Sequence, residues 1–209
     1  MYVHPAFRAE PQACDAFLLA RGFGTLIAQT PEGPFAAHVP FLYHPAERRI
    51  ELHVARANTI HAHAAANPRV LLTCTGPDAY VSPDWYASAN QVSTWLYTAV
   101  HVAGRAAVMP ADWLPDHLDR LSAHHEAALA PKKPWTSDKM DPKRLAAMTA
   151  AIVGVAIEDV VVTGQWKLNQ HKADPDHAAI TAALRTRPHE NAQRIAELMD
   201  GTRRTESRA

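Results

Sequence analysis

A row of rings with polar tips stands in the stretch V-S-T-W-L-Y-T-A-V-H-V-A-G, residues 92–104. Read as a strand, this stretch sorts its side chains onto two faces. Val92, Thr94, Leu96, Thr98, Val100 and Val102 form an ordinary core face; Ser93, Trp95, Tyr97, Ala99 and His101 form the other. Such rings stack on a planar ligand or bury against a second subunit. A second group, H-V-A-R-A-N at 53–58, lies where a strand ends and a helical piece begins. Arg56, Asn58 and the free amides of a helix start can hold a phosphate; a solvent-facing Arg and a capping Asn are the alternative. The third, Q-W-K-L-N-Q-H-K at 165–172, offers Lys167, Gln170, His171 and Lys172 to an anion, or is simply a wetted strand end.

Residues 76–86, G-P-D-A-Y-V-S-P-D-W-Y, combine turn chemistry with three aromatics. Tyr80, Trp85 and Tyr86 are expected to pin this loop to the body of the protein, with pocket lining as the alternative. Thirteen histidines raise the question of a metal. His61-x-His63 and the His124-His125 pair lack the i,i+4 geometry of H-E-x-x-H, and no carboxylate completes a ligand set, so no metal site is expected. There is no G-x-S-x-G elbow, and neither cysteine has surroundings that would activate a thiol.

The elements that position these groups begin with short strands. Residues 22–29 and 35–43 flank a T-P-E-G-P turn and read as a hairpin. In the second of these, Phe35, Ala37, Val39 and Phe41 share one side and His38 takes the other. Residues 49–54 alternate Ile50, Leu52 and Val54 as a third strand; a helical piece follows near 59–66, then a fourth strand at 69–75 and a fifth at 92–108. Leu114, Leu118, Leu121 and Leu129 recur near helical spacing, with Asp112 as N-cap and Pro115 in the first turn. Residues 130–142 read as irregular, 142–150 as a short helix and 152–162 as an apolar strand. Beyond Asp174-Pro175, two short helices separated by Pro188 carry Ile180, Leu184, Ile195 and Leu198.

A strand-heavy start, a helix-heavy end and no β-α-β rhythm argue against a doubly wound sheet. No G-x-G-x-x-G and no P-loop occur. The pattern predicts a mainly β chain with peripheral helices (α+β), a small antiparallel barrel in one domain over 1–209. A helical insertion at about 112–150 and a helical C-terminal segment at about 175–200 complete it.

Composition narrows the function classes. The chain has 209 residues, 47% hydrophobic and 20% charged, which suits a soluble domain with a sizeable core. No run approaches the ~18 apolar residues of a membrane helix. The N-terminus has no apolar signal core and Cys14 and Cys74 lie far apart, so a reduced, cytoplasmic setting is expected. Twenty-one basic and twenty-one acidic residues cancel, whereas a phosphate-gripping DNA binder usually carries a positive excess. The basic cluster Arg203, Arg204, Arg208 reads as a frayed tail.

Taken in order, M-Y-x-x-x-x-F at Met1, Tyr2 and Phe7, A-A-H-V-P-F-L at 36–42, H-V-A-R-A-N at 53–58, G-P-D-A-Y-V-S-P-D-W-Y at 76–86, T-W-x-Y-x-x-V-H-x-x-G at 94–104 and K-L-x-Q at 167–170 resemble PaiB-type proteins, FMN-binding negative transcriptional regulators. The resemblance covers nearly the whole chain. It implies a split β-barrel of the flavin-reductase and pyridoxamine-oxidase type, and a homodimer with FMN at the subunit interface. By motif, Arg56 and Asn58 fall on the phosphate side, with Lys167 and Gln170 as further polar contacts. Trp95, Tyr97 and His101 border the isoalloxazine or the dimer seam, with His38 nearby. The chain departs from V-P-T-W-N-Y at Ser93 and Leu96, and from K-L-S-Q-N at Asn169 and His171.

The resemblance implies flavin binding or sensing in negative control of gene expression. Direct DNA binding finds no support in the charge or in any helix-turn-helix. The alternative reading is a flavin-dependent oxidoreductase or flavin reductase, with His38 or His101 transferring protons. A third keeps the site for another planar ligand such as haem.

Overall fold

Alternating apolar residues drive six strands into a barrel. The computed structural model describes residues 1–206, with side chains described through residue 202. The strands are β1 (Phe23–Thr30), β2 (Gly33–His44), β3 (Arg49–Ala55), β4 (Arg69–Val81), β5 (Thr94–Val108) and β6 (Ile152–Lys167). They close in the order β1-β2-β3-β6-β5-β4. The helices are α1 (Pro11–Arg21), α2 (Ile60–Ala66), α3 (Leu114–Ala127), α4 (Pro142–Ala150), α5 (Asp174–Arg185) and α6 (Glu190–Glu206). None of the described helices is long and apolar enough to cross a membrane.

The chain divides into two compact units. One comprises Asp15–Cys74 and Val102–Val162 and is called the strand unit here. The other comprises Met1–Cys14, Thr75–His101 and the chain from Thr163 onward, the helical unit. Strands β4, β5 and β6 contribute residues to both.

In the strand unit, β1 pairs with β2 from Phe23↔Pro40 to Thr30↔Gly33, and β3 pairs with β6 from Ile50↔Ile157 to Ala55↔Ile152, all antiparallel. Leu26, Ile50, Leu52, Leu72, Val155 and Ile157 are fully buried, and each such side chain contributes about 1.5–3 kcal/mol of transfer free energy. Gly33 holds φ 125° at the hairpin, a conformation open to glycine.

The core of the helical unit is Val81, Leu96, Leu168, Ile180, Leu184, Ile195, Ala196 and Met199. Ile180 with Leu184, and Ile195 with Met199, sit i and i+4 on their helices, so α5 and α6 each turn one apolar stripe inward. Leu96 is fully buried here, so the leucine that replaces the family's Asn fills core rather than aiming at a ligand.

Several expectations are corrected. Val92 precedes β5 and is 76% exposed; the segment before β5 is tied instead to α5, where Ser88 N and Oγ donate to Asp176 at 2.8 Å. Ala99, assigned to the ring face, is buried. The fourth strand continues to Val81 through Gly76 and Pro77; its register with β1 ends at Thr73, so Pro77 removes no bond on that side. The last strand likewise runs on to Lys167.

Asp112 does not cap α3. It lies in a 3-10 turn, Ala111–Trp113, whose Trp113 N–H already donates to Pro110 O at 3.2 Å. Leu129 falls beyond α3 and is half exposed. The early helix α1 has no counterpart in the expected elements; its short apolar stripe of Cys14, Phe17 and Leu18 is the signal that marks it. Of the basic tail, Arg203 and Arg204 fall on α6, and Arg208 lies outside the described residues.

Candidate functional site

The strand unit holds Arg56, Asn58 and His38. Arg56 follows β3 and is exposed, yet its guanidinium is fixed: Nε donates to Ala150 O and Nη2 to Ile152 O, both at 2.9 Å. Its backbone N–H donates to Ala151 O at 2.8 Å. Arg56 therefore satisfies carbonyls left open where α4 ends, and Nη1 keeps donors to spare. It lines a 470 Å³ cleft whose walls are mainly apolar, including Leu114, Leu118 and Leu145. Asn58 Oδ1 accepts from Ile60 N at 3.1 Å, a local turn just ahead of α2, whose N-cap position is Thr59. His38 is exposed on β2, its Nδ1 3.0 Å from Thr25 Oγ1.

The helical unit holds Trp95, Tyr97, His101, Lys167 and Gln170. Trp95 is 54% exposed and meets Tyr80 edge-on, ring centroids 6.0 Å apart. Tyr97 OH accepts from Gln165 Nε2 at 2.9 Å, so the phenol proton stays available as a donor. Lys167 Nζ donates to Thr94 Oγ1 at 2.7 Å. Gln170 spends its amide on its own turn: Oε1 accepts from Leu168 N at 2.8 Å and Nε2 donates to Trp166 O at 2.6 Å. His101 is half buried, and burial, with the N-terminal amine adding to it, lowers its pKa below the ordinary histidine value.

The departures from the family pattern also have places. Asn169 is buried with φ 59°, a left-handed conformation that Asn tolerates better than most residues. Its Nδ2 has no hydrogen-bond partner. His171 stands edge-on to Phe7 at 5.2 Å. In the aromatic loop, Trp85 and Tyr86 pack on the core of the helical unit as expected. Tyr80 stays exposed, and with Trp85 and Trp95 it lines a cavity of 620 Å³.

One polar cluster escapes sequence reading altogether. Glu51 on β3 is buried, 2.6 Å from Arg120, 3.4 Å from Arg49 and from His44, and 3.7 Å from His117. His117 on α3 is fully buried, stacked on Trp113 at 4.4 Å and 3.2 Å from His53 Nδ1. Desolvation opposes the Glu51 charge, but the hydrogen bond and charge of Arg120, with His44 and Arg49, outweigh it and lower the pKa. His117 is lowered to about 4, first by burial and then by the neighbouring His53. Period-two alternation puts Glu51 and His53 on the outer face of β3, where they meet Arg120 and His117 of α3; Glu51 is buried and His53 half-buried.

Comparison with known proteins now bears on these positions. Residues 1–159 match the sequence model of a family described as "Putative FMN-binding domain". The chain belongs to this PaiB-type family. It is 30% identical over 186 residues to the protease synthase and sporulation protein PAI 2 of Bacillus subtilis, covering 88% of each chain. Among solved structures it is similar to an FAD and heme binding protein from Mycobacterium smegmatis, with TM-score 0.56 and 18% identity, over 81% of this chain and 78% of that one. A conserved hypothetical protein from Mycobacterium tuberculosis gives TM-score 0.57 and 15% identity, over 82% and 92%. At these identities the likeness is one of fold. FMN is the cofactor that the family's description names.

One side chain in each unit has chemistry that suits a part of that cofactor. Arg56 presents spare guanidinium donors in a geometry fixed by two carbonyls, which suits a phosphate. Trp95 presents an exposed ring, which suits a flat heterocycle. Asn58 and Gln170 are committed to the backbone, and their hydrogen bonds hold the segments that carry Arg56 and Lys167. Lys167 and Gln170 lie beyond the residues matched by the family model.

Proposed function

We propose that the protein binds FMN as a homodimer, with the flavin at the subunit interface, and acts as a flavin-dependent sensor of the PaiB type. The observation that carries this reading is the exposed ring-bearing face of β5, centred on Trp95, in a chain of the FMN-binding family. Arg56 and the α2 start beside Asn58 take the phosphate side, with Lys167 and Gln170 as further polar contacts. Trp95, Tyr97 and His101 border the ring or the dimer seam, and His38 lies nearby. The chain works as one split-barrel domain, in the cytoplasm. Two buried cysteines that form no disulfide support that compartment, and burial pushes the Cys74 thiol up to about 12, which keeps it inert.

When bound, FMN supplies hydride and electron transfer. The protein's own residues orient the ring, hold the phosphate and exclude water. Zero formal charge favours sensing a small molecule over gripping DNA phosphates. A second reading, a flavin-dependent oxidoreductase, draws support from His101. Its lowered pKa keeps the imidazole neutral near pH 7, ready to accept a proton on the ring-bearing face.

The test is spectroscopic. Purified protein is expected to be yellow, or to take up added FMN with a shift of the flavin bands, and Arg56→Ala is expected to weaken uptake. A colourless protein that takes up no FMN overturns the reading. NAD(P)H oxidation dependent on the bound flavin selects the oxidoreductase; its absence, with FMN retained, selects the sensor.

A further inference from the structure

The 620 Å³ cavity of the helical unit contains chemistry that the flavin reading does not use. Its base is apolar and tightly packed, formed by Ala79, Leu184 and Ala192, each at most 6% exposed. Two of its walls are the exposed rings of Tyr80 and Trp95. The two rings touch edge-on and so form one exposed aromatic patch, the kind of surface that marks a ligand groove. The third wall is Trp85, partly buried against the core, with the Arg187 guanidinium 5.9 Å from its ring centroid. Stacking on Trp85 orients Arg187 without neutralising it, since no described carboxylate pairs with it.

Arg187 is the one arginine or lysine among the lining residues, which also include Asp78, His189 and Glu190. Glu190 is paired with Arg194 at 3.3 Å. Asp78 remains as an acceptor for a ring N–H or O–H, and Asn191 offers an amide. The volume lies in the range of small-molecule sites, roughly 300–1,000 Å³.

We propose that this cavity binds a planar aromatic acid, its ring stacked among Tyr80, Trp85 and Trp95 and its carboxylate on Arg187. Trp95 is also central to the proposed flavin position; the acid is assigned to the side of its ring that lines the cavity with Tyr80 and Trp85, beside the flavin and not in place of it. The proposal needs no flavin to be bound, and its test reads separately from FMN uptake.

The probe is 2-naphthoate, followed by tryptophan fluorescence and calorimetry on the full chain, with neutral 2-naphthalenemethanol as control. Naphthoate is expected to bind more tightly than the alcohol, with the same affinity in the absence of FMN and at saturating FMN. Arg187→Gln is expected to weaken naphthoate about tenfold or more, the loss of one charge-assisted contact, and to leave the alcohol unchanged. Trp95→Ala is expected to weaken both. Both side chains are exposed, so near-ultraviolet dichroism and melting temperature should stay close to those of the unaltered protein. No naphthoate binding, equal affinity in Arg187→Gln, or displacement of naphthoate by FMN overturns the proposal. So does a Trp95→Ala variant that changes only the oligomeric state.

Discussion

His117 makes the protein acid-sensitive in a window set by one side chain. The imidazole is fully buried between Trp113 and His53, with its folded pKa lowered from the ordinary 6.5 to about 4. A histidine depressed in the folded state binds fewer protons there than in the unfolded chain, so its contribution is complete above pH 6.5 and is lost as pH falls toward 4. At about 1.4 kcal/mol per unit, linkage gives a loss of roughly 2.5 kcal/mol between pH 7.5 and 4.5 from this residue. Glu51, also depressed, keeps its charge over most of that window, and its loss comes at lower pH.

The assay is urea unfolding at pH 7.5 and pH 4.5 for the unaltered chain and for His117→Gln, which keeps a polar side chain beside Glu51. The variant is expected to be less stable at pH 7.5 but to lose about 2 kcal/mol less on acidification. The more distant depressed histidines, His101, His125 and His171, contribute alike to both proteins and cancel in the comparison, whereas His53, 3.2 Å from His117, titrates with it as a pair, so the difference reports on that pair. Equal losses in the two proteins would refute the placement of a neutral, buried imidazole at 117.

Three further substitutions separate structure from binding. Arg56→Lys keeps the charge but loses the fork that bridges Ala150 O and Ile152 O; it is expected to cost about 1–2 kcal/mol in urea unfolding, much as Arg56→Ala does, while retaining more FMN affinity than the alanine variant. Leu96→Asn restores the family residue but buries an amide beside Leu168 and Ile180, and should lower the melting temperature by several degrees, at a cost of about 2–4 kcal/mol. Gly154→Ala places a methyl 2.7 Å from the Trp113 ring. It is expected to cost about 1–3 kcal/mol and to shift the Trp113 signal in near-ultraviolet dichroism.

The strands were legible because most of them alternate cleanly. Arg49–Ala55 follows from Ile50, Leu52 and Val54; the structure adds the cap of Pro142–Ala150, where Asp141 Oδ1 accepts from Arg144 N at 2.9 Å. Residues 76–81 were not legible, since Gly-Pro-Asp spells a turn and only the end of the β1 register at Thr73 makes a strand tolerable there. The proposed site was readable as motifs, in Arg56 and Trp95 above all. The anchoring of Arg56 by carbonyls 94 and 96 residues away was not. Nor was the Glu51–His117 cluster, since it exists only once α3 covers β3. Arg187 and the cavity it borders were likewise silent, because an arginine before a proline in a helix-helix turn carries no binding signature.

The central claim is that a flavin lies against the β5 ring face, and a fluorescence titration with FMN tests it most directly. Tryptophan emission of the unaltered protein should fall in a saturable manner as FMN is added, with a markedly smaller fall in Trp95→Phe at similar affinity. An unchanged tryptophan signal, or quenching identical in the two proteins, would contradict the account.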